Sequence, residues 1–96
     1  MDLTGRDLIF RIHAVQRMFE RDISVEDVRM VLSEGVVIED YPEDTPFPSR
    51  LIFGWCERRP IHVVVAINEE EGSVIVVTVY EPDQEKWDFD LSRRRS

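Results

Sequence analysis

The spacing of apolar residues along this 96-residue chain changes at Val36. Before that point apolar residues recur about every 3.6 positions, which is the period of an amphipathic helix. After it they form short runs rich in Val, Ile and aromatic residues, which favour strands. The pattern predicts two helices, over about 13–22 and 25–33, and strands over 7–12, 36–41, 50–57, 61–68 and 73–80.

Two kinds of residue occupy different sides of the first predicted helix. At 100° per residue, five apolar side chains fall on one arc, which predicts the face that enters the core: Ile12, Ala14, Val15, Met18 and Phe19. The border of that arc carries the side chains of His13, Arg17 and Arg21. One helix is therefore expected to supply both core contacts and a line of basic groups.

The ends of the second helix have local signals. Ser24 is a preferred N-cap residue, and Asp27 stands three positions later in a near capping box. Gly35 is placed to end the helix in the left-handed conformation that glycine adopts without strain. These residues predict two short helices in a helical hairpin.

The segment Glu70-Glu71-Gly72 predicts a three-residue hairpin loop between the last two strands of Val and Ile. With Glu69 opposite Ser73, His62 would lie opposite Tyr80 on one face of the sheet. A loop one residue longer would send these two side chains to opposite faces. The same register pairs Val64 with Thr78.

Two helices followed by an antiparallel meander predict an α+β fold. In this fold the N-terminal helices pack on one face of a mostly antiparallel sheet of four to five strands. The chain is expected to form a single domain over 1–92, with a frayed basic tail over 93–96. Trp87, Phe89 and Leu91 alternate with acidic residues, which predicts an extended arm or a short edge strand.

Composition narrows the classes of function. The formal net charge of −8 disfavours RNA, so any contact with RNA would need a local cluster of arginines. The single cysteine, Cys56, excludes an internal disulfide and is expected to be buried and inert, and two histidines without a third ligand do not make a zinc site. No cofactor motif and no membrane span are found, and the N-terminus lacks a secretory signal, so a cytoplasmic protein without cofactors is expected.

Several short motifs together resemble a family of small bacterial domains of unknown function. They are His13-Ala14, Arg17-Met18, Arg21 with Ile23-Ser24, Pro60 through Val65, Thr78 through Asp83, and Trp87. This family resembles the RelE/ParE superfamily of toxins, near the BrnT-type toxins, and its members often sit beside a zinc-ribbon type antitoxin. The resemblance covers about 13–87 and implies a RelE-like fold and a small antitoxin-like protein partner.

The resemblance also implies a chemistry. RelE-like enzymes cleave RNA without a metal ion, by placing basic and hydroxyl side chains around a 2′-hydroxyl and the adjacent phosphate. On this resemblance His13, His62 and Tyr80 would transfer protons, while Arg17 and Arg21 would hold the phosphate.

Each candidate residue also has an ordinary structural role. His13 can neighbour the first helical turn, and Arg17 and Arg21 can pair with nearby carboxylates. His62 can be a satisfied core histidine, and Tyr80 can be a core residue with its hydroxyl at the rim. Two hypotheses therefore stay open: a toxin-like ribonuclease, and a non-catalytic protein-interaction module of the same fold.

Overall fold

The computed structural model describes residues 6–83, which form one five-stranded sheet and two helices. The elements are β1 (Asp7–Phe10), α1 (Ile12–Arg21), α2 (Val25–Glu34), β2 (Val36–Tyr41), β3 (Ser49–Cys56), β4 (Arg59–Asn68) and β5 (Ser73–Tyr80). The strand order is β1-β5-β4-β3-β2; β1 is parallel to β5 and the other pairs are antiparallel. The predicted α+β class and the short edge strand before α1 are confirmed. The predicted arm at Trp87 and the basic tail lie outside the described residues.

Both helices pack on one face of the sheet. α1 buries Ala14 and Met18, and α2 buries Val28, Val31 and Leu32. They meet a layer of buried strand residues that includes Ile52, Ile61, Val63, Val65, Val74 and Val76. Each such aliphatic side chain stabilises the fold by roughly 1.5–3 kcal/mol relative to an exposed position. No helix within residues 6–83 combines the length and the apolar character that crossing a membrane requires.

The prediction that the whole apolar arc of α1 enters the core is wrong. Ile12 is 78% exposed, Val15 is 51% exposed and Phe19 is 90% exposed. α1 contacts the sheet mainly through β5, the last strand but one, and β1 beyond it has only four residues. The sheet is therefore too narrow at this edge to cover more of the arc than Ala14 and Met18.

The start of α2 follows the prediction, whereas its end does not. The Ser24 hydroxyl accepts a hydrogen bond from the Asp27 N–H, and the Asp27 carboxylate accepts one from the Ser24 N–H, each at 3.0 Å. Gly35, however, has φ −78° and ψ 176°, which is extended backbone and not left-handed. Glycine is required there by lack of space. A Cβ atom would lie 2.4 Å from the Val31 carbonyl oxygen and 2.6 Å from that of Phe53.

The loop between β4 and β5 is longer than predicted. Asn68 pairs with Ser73, so the loop holds four residues, 69–72, and the predicted pairing of Glu69 with Ser73 is wrong. Gly72 has φ 65°, so the expectation of a positive φ at this position is confirmed.

A shift in register further along the hairpin compensates for the longer loop. Val65 pairs with Val76 but Val64 pairs with Thr78, which leaves one extra residue on β5. Beyond this shift His62 pairs with Tyr80, as the sequence predicts. The two side chains share a sheet face because a bulge-like irregularity restores the alternation that the loop would have reversed.

Candidate functional site

A cleft forms where β5 extends past the end of β1. β1 pairs with β5 only as far as Phe10 and Val76, and the Arg11 N–H then donates to the Val76 carbonyl oxygen at 3.1 Å. α1 starts at the next residue and packs against β5. The remaining residues of β5 therefore form one wall of a groove whose other wall is the basic border of α1.

The groove has a volume of about 340 Å³ and brings together four of the five predicted site residues. Its lining residues are His13, Arg17, Arg21, Thr78, Tyr80, Glu81 and Asp83. The first three follow one another at intervals of four residues, so they project from one side of α1. We call this groove the α1–β5 cleft.

The fifth predicted residue, His62, lies behind the cleft. Its side chain is fully buried, and its Nδ1 atom is 3.4 Å from the Tyr80 hydroxyl oxygen. Its ring centroid is 5.3 Å from that of Tyr80 and 5.4 Å from that of Phe53, both in edge-on arrangements. Among residues 6–83, His62 is therefore connected to the cleft through Tyr80, and its imidazole is a buried group with a polar neighbour.

The cleft carries charges of both signs. The Arg17 guanidinium lies 3.7 Å from the Glu20 carboxylate, an exposed pair of the kind that contributes less than about 1 kcal/mol. Glu81 and Asp83 line the same groove as the basic residues. Arg17 and Arg21 therefore offer a local positive site on an acidic protein, and the two carboxylates limit its strength.

Arg59, which lies between the predicted strands 50–57 and 61–68, holds the cleft walls together. Its guanidinium donates to the carbonyl oxygens of Arg21 at 2.6 Å and Asp22 at 2.7 Å, and to the Glu81 carboxylate at 2.7 and 2.9 Å. The hydrogen bond to Glu81 is the main reason that the pKa of Arg59 is raised.

Little in the local sequence around Arg59 indicates that this residue connects β4 to the end of α1. α1 ends at Arg21, and its C-cap residue Asp22 has the left-handed conformation. The last carbonyls of a helix have no partner within it, and here those of Arg21 and Asp22 accept hydrogen bonds from a donor distant in sequence. The turn between β3 and β4 contains Glu57, with φ 59°, and Arg58, which places Arg59 at the first position of β4. Only the assembled fold shows that this position faces the end of α1.

The predicted burial of Cys56 is confirmed. Its thiol donates to the Asp27 carbonyl oxygen at 3.1 Å. Burial raises the pKa of the Cys56 thiol, and the nearby Asp27 carboxylate acts in the same direction. Within residues 6–83 no group of three or more His, Cys, Asp or Glu side chains is placed to hold a metal ion.

Comparison with known proteins gives one finding. A family model described as "Domain of unknown function (DUF4258)" matches residues 10–81. No curated protein and no solved structure gives a significant match. The matched range begins at the end of β1 and ends just after β5, so it includes both walls of the α1–β5 cleft.

Proposed function

We propose that this chain, which belongs to the DUF4258 family, is the toxin-like member of a two-protein pair and cleaves RNA at the α1–β5 cleft without a metal ion. One observation carries the proposal. Four of the five residues that the family resemblance implies for RNA cleavage line one groove, although α1 and β5 are more than 50 residues apart in the chain. The fifth, His62, contacts Tyr80, which is one of those four.

The proposed reaction needs a proton acceptor, a proton donor and cations around one phosphate. The ribose 2′-oxygen attacks the phosphorus while the bond to the 5′-oxygen breaks, which leaves a 2′,3′-cyclic phosphate and a 5′-hydroxyl. His13 accepts the proton of the 2′-hydroxyl, and Tyr80 gives its hydroxyl proton to the departing 5′-oxygen. Arg17 and Arg21 bind the non-bridging oxygens, whose negative charge grows in the transition state.

His62 has a positioning role in this scheme. The Nδ1 atom of the buried imidazole lies 3.4 Å from the Tyr80 hydroxyl oxygen, and the Phe53 ring packs against the imidazole in an edge-on arrangement. A histidine nitrogen can donate to or accept from a hydroxyl, depending on its tautomer. His62 therefore limits the orientations that the Tyr80 hydroxyl can take toward a substrate.

The direct test incubates the purified full chain with single-stranded RNA in EDTA and identifies the new ends. We expect 2′,3′-cyclic phosphate ends, and a loss of at least about 100-fold in rate for Tyr80→Phe and for Arg17→Ala. Arg29→Ala, which removes an exposed arginine from α2, is the matched control and should cleave at the wild-type rate. No cleavage by the wild type, or equal rates in all variants, contradicts the proposal.

A test in cells follows from the same scheme. Induced expression is expected to stop growth, and Arg17→Ala is expected to relieve the arrest while the protein still folds. Co-expression with a small antitoxin-like partner, encoded by the neighbouring gene, should also relieve it. Normal growth on induction of the wild-type chain would count against a toxin.

The presence of Glu81 and Asp83 in the cleft favours a second candidate, a protein-interaction module without catalysis. With a net charge of −8, these carboxylates weaken attraction to RNA and suit a basic protein partner. If this alternative holds, a co-purified partner would bind with unchanged affinity when Tyr80 is replaced by Phe. Its affinity would fall when Asp83 is replaced by Asn.

A further inference from the structure

The outer side of α1 carries a row of large apolar side chains that the described residues leave uncovered. Ile12, Val15 and Phe19 stand at intervals of three and four residues, and we call them the α1 stripe. Val15 and Phe19 line a hollow of about 390 Å³, and Ile12 shares a second hollow of about 600 Å³ with Ile9 of β1. Exposed apolar patches of this kind mark interaction surfaces in soluble proteins.

We propose that the α1 stripe packs against the α1 stripe of a second copy of this chain, with the two helices antiparallel about a twofold axis. Such an interface brings the same surface of both copies together, so the surface must be complementary to itself. The spacing of the stripe meets this condition. Its three members are nearly symmetric about Val15, so Ile12 of each copy faces Phe19 of the other and the two Val15 side chains meet at the axis.

The charges at the two ends of α1 select the antiparallel arrangement. Arg11 stands at the N-terminal end, where the helix has no side-chain cap and no acidic residue in its first turn. Glu20 and Asp22 stand at the C-terminal end, where they outnumber the one arginine, Arg21. Antiparallel helices place these carboxylates near Arg11 and near the positive helix N-terminus of the other copy. Parallel helices would instead place like charges together.

The size of the stripe predicts a modest affinity. A stable interface buries about 800 Å² on each partner, of which the three stripe residues can supply only the central part. Phe19 is the expected anchor, because it is the largest and most exposed member. Association with a dissociation constant of about 10 μM is therefore expected.

The dimer would leave the α1–β5 cleft open. Arg17 projects roughly 160° around the helix from Phe19, given 100° per residue. The stripe therefore lies on the other side of α1 from Arg17, and of the cleft residues only His13 also borders the hollow beside Ile12. Dimer formation therefore does not require the proposed ribonuclease activity, and the two can be tested separately.

Sedimentation equilibrium of the full chain over a wide concentration range tests the association. We expect the mass to rise toward that of two chains, and Phe19→Glu to weaken the dimer by at least about 100-fold, because both copies lose the anchor. Met30→Glu is the matched control, since Met30 is an exposed apolar residue (49%) on the other helix, and it should dimerise like the wild type. A wild type that stays monomeric at 0.5 mM (about 50-fold above a ~10 μM dissociation constant) overturns the proposal. So does an equal effect of the two substitutions.

Cross-linking tests the geometry independently of the affinity. Because Val15 is placed at the twofold axis, Val15→Cys should form a disulfide between copies under mild oxidation, whereas Met30→Cys should not. The native Cys56 is buried and remains the same in both variants. Adding Phe19→Glu to Val15→Cys should remove the cross-link. A dimer that forms without the Val15→Cys cross-link uses another surface and contradicts the proposed one.

Discussion

The Nδ1 atom of His62 lies 3.4 Å from the Tyr80 hydroxyl oxygen, because a shift of register between β4 and β5 returns the two residues to one face of the sheet. One member of the pair lines the cleft, and the other is fully buried. The contact therefore joins the interior of the protein to the groove in which we place the chemistry.

Two replacements of His62 separate its positioning role from its packing role. His62→Leu fills a similar volume without a polar atom, and His62→Gln keeps a group that can bond to the Tyr80 hydroxyl. We expect both to unfold in urea within about 1.5 kcal/mol of the wild type. We expect RNA cleavage to fall by 10-fold or more for Leu (about 1.4 kcal/mol of lost positioning) and by clearly less for Gln. Equal activity in the two variants would show that the contact serves packing alone.

Removing the Arg59 guanidinium should loosen the C-terminal end of α1. Arg59→Ala deletes the donor to the Arg21 and Asp22 carbonyl oxygens and the partner of Glu81, with an expected loss of about 1–3 kcal/mol in the free energy of unfolding. Hydrogen exchange at the last turn of α1 should become faster. The exposed neighbour Arg58 supplies the control, and Arg58→Ala should change stability by less than about 0.5 kcal/mol. An equal loss of stability in Arg58→Ala and Arg59→Ala would argue against a specific role of Arg59 in holding the end of α1.

Gly35 should tolerate alanine less well than Gly54 does. A Cβ at Gly35 would lie 2.4 and 2.6 Å from two backbone carbonyl oxygens, so the substitution must move α2 or β3. At Gly54 the nearest atoms, all of Val31, would be 3.2 Å away, and two of them belong to a side chain. We expect a loss of about 3 kcal/mol or more for Gly35→Ala and about 1–2 kcal/mol for Gly54→Ala, measured by chemical denaturation. A larger loss for Gly54→Ala than for Gly35→Ala would mean that the C-terminal end of α2 shifts easily to make room for the added Cβ.

The Cys56 thiol should react slowly with a disulfide reagent at pH 8 in the folded protein and quickly in urea. Burial raises the pKa of Cys56, so the folded state favours the neutral thiol, and the nucleophile is the thiolate. Because the pKa is higher in the folded state, the neutral thiol adds to the free energy of unfolding, and this contribution is fully present below the ordinary thiol pKa of about 8.5. It is lost as the pH rises through the higher folded value. Fast labelling of the native protein at pH 8 would disprove the buried state.

Elements with local signals were predicted correctly from the sequence. The Ser24 capping box forms because its donors and acceptors are only three residues apart, and β2 to β5 pair as the predicted antiparallel meander. The pairing of His62 with Tyr80 was also predicted, but through a loop that the structure shows to be one residue longer. The longer loop and the register shift at Val64 each move the pairing by one residue, and they cancel. We identify no signal in the sequence for the register shift.

Features set by distant neighbours were not predictable. Apolar periodicity located the arc of α1, but whether Val15 and Phe19 are covered depends on how far the sheet extends beneath the helix. Gly35 was read as a residue of special backbone conformation, whereas the approach of two carbonyl oxygens explains it. The contacts of Arg59 could not be predicted, because its partners on α1 lie 37 and 38 positions earlier in the chain.

The parallel pairing of β1 with β5 also bears on how the protein is made. Asp7 pairs with Ser73, 66 positions later, so this contact closes a far longer loop than the hairpin between β4 and β5 does. On a ribosome α1 leaves the exit tunnel well before β5 is synthesised. A nascent chain therefore displays the basic side of α1 without the Tyr80 wall, and one released before β5 is made could never acquire a cleft.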